Sequence, residues 1–162
     1  MAKVHPGRFT ADVDGDIAVF IIGMRVNRPW KLRRWLPVFT AMPKMLAHLQ
    51  RHPEKGLLGY HQAFLPSPLI VQYWRSFEDL ERFARDTEDP HLEPWRRYNR
   101  EIGKSGDVGV WHETYLVSPG RYEAVYANMP EVGLAAATNH VPVSRRGDAA
   151  RDRVTPAATT AG

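Results

Sequence analysis

The chain has 162 residues, of which 43% are hydrophobic and 25% charged, with a formal net charge of +4 and no cysteine. This length suits one domain with a single core, and the apolar and charged fractions are those of a folded globular chain. The absence of cysteine excludes disulfides, thiolate nucleophiles, cysteine-ligated zinc and iron–sulfur clusters.

Neither the charge nor the apolar runs favour a nucleic acid or a membrane as partner. The basic excess is mild and divided between residues 25–34 and the tail from residue 144, whereas nucleic-acid modules concentrate basic charge on one face. The longest apolar run, 17–24, is far shorter than the roughly 20 residues of a spanning helix. The first eight residues lack the apolar core of a signal peptide. We therefore expect a cytoplasmic protein.

The first third of the chain predicts a lead-in, a strand and a helix. Residues 1–15 are polar and contain proline and glycine, which indicates an extended lead-in. Residues 16–26 are apolar on both alternating faces and rich in β-branched side chains, a pattern typical of a strand covered on both sides. Residues 30–50 carry apolar side chains every three or four positions, so we expect a helix that starts near Pro37 and is kinked by Pro43.

The middle of the chain predicts a hairpin, two helices and a strand. Residues 56–64 and 69–75 have strand composition on either side of a proline-rich turn. Ser76, with an acidic residue three positions later, indicates the start of a helix. A second helix is expected over 91–102, and 107–117 has the composition of another strand.

The C-terminal part of the sequence predicts one more short strand, followed by a disordered tail. A short strand is expected over 122–126 after a turn. Beyond residue 143 the composition of arginine, aspartate, alanine, threonine and glycine cannot bury enough apolar surface to fold. We therefore predict one domain over 1–143 and a disordered tail over 144–162.

The element order β-α-β-β-α-α-β predicts an α+β protein with a ferredoxin-like split βαβ fold and an antiparallel sheet. Helices cover one face of such a sheet, yet the strand at 16–26 is apolar on both faces. The simplest cover for the second face is the same sheet of another copy, so we predict a homodimer.

Two short patterns that contain histidine resemble metal motifs but do not complete them. His112 and Glu113 begin the zinc-protease pattern H-E-x-x-H, but Leu116 stands where the second histidine is needed, and the segment is a predicted strand. His48 and His52 are four residues apart and have no third ligand nearby, which favours surface histidines. The sequence therefore predicts no metal site.

A concentration of aromatic and polar residues lies between positions 73 and 128. Its members are Trp74, His91, Trp95, Asn99, Trp111, His112, Glu113, Tyr115, Tyr122 and Tyr126. Tryptophan and tyrosine line apolar pockets while keeping one polar atom for orientation, but they also fill cores. A histidine within an apolar strand is unusual because burying an unpaired imidazole costs free energy. Glu113 and Tyr115 project from the face opposite to His112, and the pattern leaves open which face lines a pocket.

Several sequence segments resemble those of one enzyme superfamily. YWRSFEDL at 73–80 resembles the antibiotic-biosynthesis monooxygenases of the dimeric α+β barrel superfamily. HLEPWRRYN at 91–99, GVWHETY at 109–115 and YEAVYANMP at 122–130 resemble the family of monooxygenases similar to the fumagillin-cluster enzyme, formerly a domain of unknown function. The resemblance covers roughly residues 5–140.

This resemblance implies a ferredoxin-like protomer, a dimeric barrel and a pocket between sheet and helices. It implies a cofactor-independent monooxygenase that uses dioxygen on a hydrophobic aromatic, polyketide or isoprenoid molecule. In that reaction a base removes a substrate proton and the anion reduces dioxygen. The implied catalytic residues are His112 or His91 as base, with Asn99 and Glu113. The implied substrate-binding residues are Trp74, Trp95, Trp111, Tyr115, Tyr122 and Tyr126.

Two alternatives stay open at this point. Some members of the superfamily bind haem, as in the aldoxime dehydratases, and His91 or His112 would then be the axial ligand. A third group of the superfamily consists of small binding or isomerising proteins, and the second alternative is a non-catalytic protein that binds a small ligand. Nothing in the local sequence separates a histidine base from a histidine ligand.

Overall fold

The structure, a computed structural model, describes residues 2–64, 67–87 and 92–154, except for the side chains of residues 92, 93 and 95. His91, the Trp95 side chain and residues 155–162 of the predicted tail therefore lie outside the described part.

The described residues form two sheets and five α-helices. The strands are β1 (His5–Asp12), β2 (Ile17–Val26), β3 (Leu57–Ala63), β4 (Leu69–Trp74), β5 (Val108–Val117), β6 (Tyr126–Met129) and β7 (Asn139–Pro142). The helices are α1 (Leu32–Arg51), α2 (Phe77–Arg85), α3 (Leu92–Glu101), α4 (Gly133–Ala137) and α5 (Ala150–Arg153), with 3-10 turns at Pro53–Lys55 and Val143–Arg145. None of the helices in this part of the chain is long and apolar enough to cross a bilayer.

The main sheet has the strand order β3-β4-β2-β5, and all neighbouring pairs are antiparallel. Its strands are separated along the chain by α1, by a hairpin and by α2 with α3. This arrangement is the ferredoxin-like split βαβ, which confirms the predicted fold class. At the centre of the sheet Ile22 pairs with Ile70 on one side and His112 on the other.

One face of the main sheet packs on the helices. Ala18 and Trp74 of this face form a core with Met45 and Leu49 of α1 and Phe83 of α2. Because side chains alternate along a strand, the even-numbered residues of β2, β4 and β5 share this face.

Helix α1 begins earlier than the sequence predicts. It starts at Leu32 and continues through both Pro37 and Pro43, although each proline removes a backbone donor. Its buried stripe of Met45, Leu46 and Leu49 anchors the helix on the sheet. Packing of an amphipathic face supplies most helix stability in proteins, so it outweighs the local cost of the prolines.

The opposite face of the main sheet is covered at one end by the same chain. A second sheet with the order β6-β1-β7 packs there together with α4. Ile17, Val19 and Tyr73 of the main sheet contact Ala11 and Leu134 in this second layer. Residues 5–12 were predicted as part of a lead-in, and that prediction is wrong because their pairing partners at 126–129 and 139–142 lie too far away to be visible in a local pattern.

The predicted disordered tail is folded over its first part. Arg153 of α5 is 3% exposed. Its guanidinium donates to the Glu123 carboxylate and to the Gly147 carbonyl oxygen at 2.7 Å. Residues 144–154 therefore belong to the fold. Polar contacts of Arg153 and of Arg146, which donates to the Ala11 carbonyl oxygen at 3.0 Å, hold them where composition predicts too little apolar surface.

Candidate functional site

A cavity of about 280 Å³ lies between α1, α3 and the helix-facing side of the main sheet. Ile22 and Val110 form its floor on the sheet. The remaining apolar lining residues are Pro37, Val38, Ala41, Met42, Met45, Pro94, Tyr98 and Ile102. Both helices contribute one face: residues three, four or seven apart on α1, and residues three or four apart on α3, project to the same side.

A smaller cavity of about 70 Å³ adjoins the first along the same wall. Ile22, Val38, Met42 and Val110 line both cavities. The smaller one extends towards the β3–β4 hairpin, where Phe64 contributes to its lining. Together they offer an apolar surface to an elongated or branched hydrophobic molecule.

The larger cavity has a cationic rim. Four basic side chains line it, namely Arg33, Arg34, Lys44 and Arg97. Glu101 supplies the single carboxylate among the described lining residues. The Arg97 Nε donates to Glu101 Oε2 at 3.1 Å, and this hydrogen bond is the main reason why the pKa of Glu101 is lowered. Three of the four cations therefore have no carboxylate partner among the lining residues, and the rim is suited to an anion.

His112 flanks the larger cavity on the same face of the sheet. It pairs across the strands with Ile22 and lies two residues from Val110, both of which line the cavity. Its ring centroid is 5.4 Å from that of Phe20, and its side chain is exposed. His112 is not among the described residues that line either cavity, so it lies beside the floor residues Ile22 and Val110.

Trp111, Glu113 and Tyr115 lie on the opposite face of β5. Trp111 covers Gly23, where an added Cβ would lie 2.6 Å from the indole nitrogen. The Tyr115 hydroxyl donates to Glu113 Oε2 at 2.7 Å, and this hydrogen bond raises the pKa of Tyr115. Trp111 and Tyr115 are 45% and 51% exposed, so none of the three lines the cavities described above.

Three further predicted substrate-binding residues have structural contacts instead. Trp74 is fully buried, and its indole nitrogen donates to Gln72 Oε1 at 2.9 Å. In the layer of the second sheet, the Tyr122 hydroxyl accepts from the Val13 amide at 2.8 Å. The Tyr126 hydroxyl accepts from the Ala135 amide at 3.2 Å, and burial raises the pKa of Tyr126.

The remaining predicted residues lie on or near α3. Asn99 is exposed and does not belong to the cavity-lining side that carries Tyr98 and Glu101. His91 and the Trp95 side chain lie outside the described residues. Of the predicted residues that the structure describes, His112 alone is beside the cavity.

Sequence reasoning missed the contribution of α1 to this site. The apolar spacing over residues 30–50 predicted a helix, but it assigned no part of the site to Val38, Ala41 or Met45. The basic pair Arg33 and Arg34 was visible as charge near a strand–helix junction. Neither signal reveals the gap between α1 and α3, because the tertiary packing of the two helices determines it.

Residues 17–134 match the model of the family described as Monooxygenase af470-like. A curated protein, Monooxygenase af470 of Aspergillus fumigatus, is 29% identical over 177 aligned residues, which cover 95% of this chain and 62% of that protein. The chain thus spans less than two thirds of the length of this relative.

Solved structures give remote likenesses. SnoaB, a cofactor-independent oxygenase from Streptomyces nogalater, has a TM-score of 0.44 and 12% identity, covering 62% of this chain and 91% of SnoaB. A conserved protein from Methanosarcina mazei Go1 has a TM-score of 0.43 and 11% identity, covering 61% and 91%. A dimeric ferredoxin-like protein from an uncultured marine organism has a TM-score of 0.35 and 9% identity, covering 64% and 96%.

The family match spans the whole main sheet together with α1, α2 and α3, and therefore the described walls of both cavities. The chain belongs to the Monooxygenase af470-like family.

Proposed function

We propose that this chain is a monooxygenase that oxygenates a hydrophobic small molecule with an acidic group in the cavity between α1, α3 and the sheet. The observation that carries the proposal is an apolar cavity of about 280 Å³ with a cationic rim, in a chain of a monooxygenase family. This volume is just below the range of about 300–1,000 Å³ that is usual for small-molecule sites.

The rim favours a phenolic or enolic substrate. Apolar walls bury the carbon skeleton, while Arg33, Arg34 and Lys44 favour the deprotonated form of a nearby acidic group. Aromatic and polyketide molecules carry such groups. An isoprenoid hydrocarbon has no acidic proton and offers no anion to Arg33, Arg34 and Lys44.

The reaction needs no cofactor when the substrate supplies all the electrons. A base removes a proton from an activated CH₂, and the carbanion passes one electron to dioxygen. The radical pair combines into a C–O bond, and loss of water from the resulting hydroperoxide leaves a carbonyl. The sum is R₂CH₂ + O₂ → R₂C=O + H₂O, with four electrons moved from substrate to oxygen. Apolar walls favour this step because they keep water from the radical pair.

His112 is the proposed base. Imidazole titrates near neutral pH, which suits it to proton transfer. His112 lies across the strands from Ile22, which lines the cavity, so a substrate bound there would reach it directly or through one water. His91 stays a predicted alternative outside the described residues.

The haem alternative has no matching observation at the cavity. Among the described residues that line either cavity there is no histidine to serve as an axial ligand. An absorption spectrum of protein expressed with ample iron and haem precursor tests this point. We expect no Soret band, and a stoichiometric band lost in His112→Ala would overturn the cofactor-free proposal.

We also propose a homodimer formed through the uncovered half of the outer sheet face. Trp111 lies beyond the end covered by the second sheet, and Tyr115 lies on the edge strand β5 opposite Val19. Both are large side chains that remain about half exposed. An identical face of a second copy would bury them with matching chemistry.

Filling the cavity tests the proposed site. Ala41→Trp places a large ring among the lining residues of α1, whereas Leu36→Trp adds a ring at an exposed position of the same helix. We expect Ala41→Trp to abolish binding and oxygen uptake with a phenolic ligand, and Leu36→Trp to retain both. Equal binding by the two variants would place the ligand elsewhere. A folded protein that binds phenols in the cavity but consumes no oxygen would indicate a ligand-binding role.

A further inference from the structure

A cluster of two imidazoles and a carboxylate lies in the second sheet, away from the cavities. His5 Nε2 is 3.4 Å from Glu131 Oε1, and His140 Nδ1 is 3.9 Å from the same oxygen. One potential ligand atom from each residue lies within 4.8 Å of the other two. The residues come from β1, from the segment after β6 and from β7, so the fold rather than a local motif brings them together.

His140 is buried without a complete set of partners. Its side chain is 6% exposed, and its Nε2 has no hydrogen-bond partner among the described residues. The ring stacks on Phe9 with 4.4 Å between centroids and makes an edge contact with His5 at 4.9 Å. A buried nitrogen without a partner costs free energy and calls for an explanation.

The Nδ1 of His140 faces the cluster, 3.9 Å from Glu131 Oε1. In the neutral imidazole one nitrogen carries the proton and the other offers its lone pair. With the proton on Nε2, the lone pair of Nδ1 is available to a ligand on the side of His5 and Glu131.

We propose that His5, Glu131 and His140 bind a divalent transition-metal ion, with Zn²⁺ as the probe. Two imidazoles and one carboxylate are ligands that Zn²⁺ and its neighbours in the first transition row accept, with a further position for water. Tetrahedral bonds of 2.0–2.1 Å place ligand atoms about 3.3 Å apart, close to the 3.4 Å and 3.9 Å between Glu131 and the two histidines. Glu131 is 53% exposed, which leaves an entry path for the ion.

The ion would link β1, which carries His5, to β7, which carries His140. Since the second sheet covers Ile17 and Val19 of the main sheet, binding there would stabilise the cover of the outer face. A ligand that binds the folded chain alone raises its melting temperature by mass action.

The test is calorimetric titration of the full chain with ZnCl₂ after removal of metals by a chelator and desalting. We compare the wild type with Glu131→Gln and His5→Gln, and use Glu81→Gln as a matched control because Glu81 is a surface carboxylate paired with Arg85. We expect one Zn²⁺ per chain, a Kd raised more than about tenfold by each cluster variant, and no change in the control. The rise in Tm with Zn²⁺ should be lost in the same two variants.

Two results would overturn the proposal. One is the absence of measurable binding by a wild-type chain shown to be folded by circular dichroism. The other is binding that both cluster variants retain but that is lost when His48 and His52 are replaced together, since that pair is the other close histidine contact of the described chain. Circular dichroism spectra of the cluster variants that match the wild type would show that a loss of binding does not come from unfolding.

Discussion

Trp74 and Trp111 show how differently two tryptophans of one sheet are placed. Trp74 is fully buried between β2, α1 and α2, where it contacts Phe83 with 5.6 Å between ring centroids. Trp111 is 45% exposed on the other face. Residue type alone predicted the same role for both, an aromatic side chain with one polar atom that binds substrate. Their burial shows instead that Trp74 is a core residue and Trp111 a surface residue.

We expect Trp74→Ala to lower the free energy of unfolding by about 3–5 kcal/mol, because it removes a large buried ring. Urea denaturation monitored by circular dichroism measures this. Trp111→Ala, at a protein concentration too low for association, should cost far less. Similar losses in the two variants would contradict the placement of Trp74 in the core.

Asp107 links stability to pH. Its side chain is 1% exposed and accepts hydrogen bonds from Lys31 at 3.0 Å and Arg28 at 2.9 Å. The Lys31 hydrogen bond is the main cause that lowers the pKa of Asp107. Because the pKa is lower in the folded than in the unfolded chain, this contribution to stability is present above the unfolded pKa of about 3.9 and is lost as the pH falls through the folded value.

We therefore expect Asp107→Asn to be less stable than the wild type at pH 7 and the difference to shrink below about pH 4. Urea denaturation at both pH values gives the comparison, since the asparagine does not titrate. A difference that stays constant with pH would show that the charge of Asp107 is not the cause.

His112 and Glu113 are sequence neighbours on opposite faces of β5, which separates their roles. If His112 is the base, His112→Gln should lower kcat by about 10²–10⁴-fold with a smaller change in KM. Glu113→Gln, on the other face, should leave kcat unchanged. Steady-state oxygen uptake measures both. Loss of kcat in Glu113→Gln with normal kcat in His112→Gln would place the chemistry on the outer face.

At the scale of elements, local signals predicted the parts of the fold that local physics determines. The Ser76 hydroxyl accepts from the Asp79 amide at 3.1 Å and caps α2, as its sequence pattern predicted. The hairpin of β3 and β4 and strands β2 and β5 were also predicted from composition and alternation. Strands β1 and β7 were not, because β1 is mostly polar, β7 has only four residues, and the two pair with each other across more than 100 residues of sequence.

The exposed half of the outer sheet face predicts an association. Trp111→Glu places a charge where a second copy would pack, and burying an unpaired charge is costly. Light scattering after size exclusion should show a dimer for the wild type and a monomer for Trp111→Glu. Leu36→Glu, at an exposed apolar position of α1, should remain a dimer. A monomeric wild type at micromolar concentration would contradict the proposed dimer.

At the scale of the whole molecule, the sequence predicted the fold class and the family but only part of the site. Element order was enough for the split βαβ because few topologies satisfy it. The cavity depends on the gap between α1 and α3, and the cluster of His5, Glu131 and His140 depends on three distant segments. Spacing along the chain cannot reveal either of them.

The most direct test is oxygen transfer by purified, chelator-treated protein under ¹⁸O₂ with a panel of phenolic and enolic polyketide compounds. We expect at least one compound to gain one labelled oxygen atom, in a colourless protein, and Ala41→Trp to lose this activity while Leu36→Trp keeps it. Labelling that requires added haem or a reductant would contradict the proposed chemistry. So would the absence of labelling in every compound that is shown to bind in the cavity.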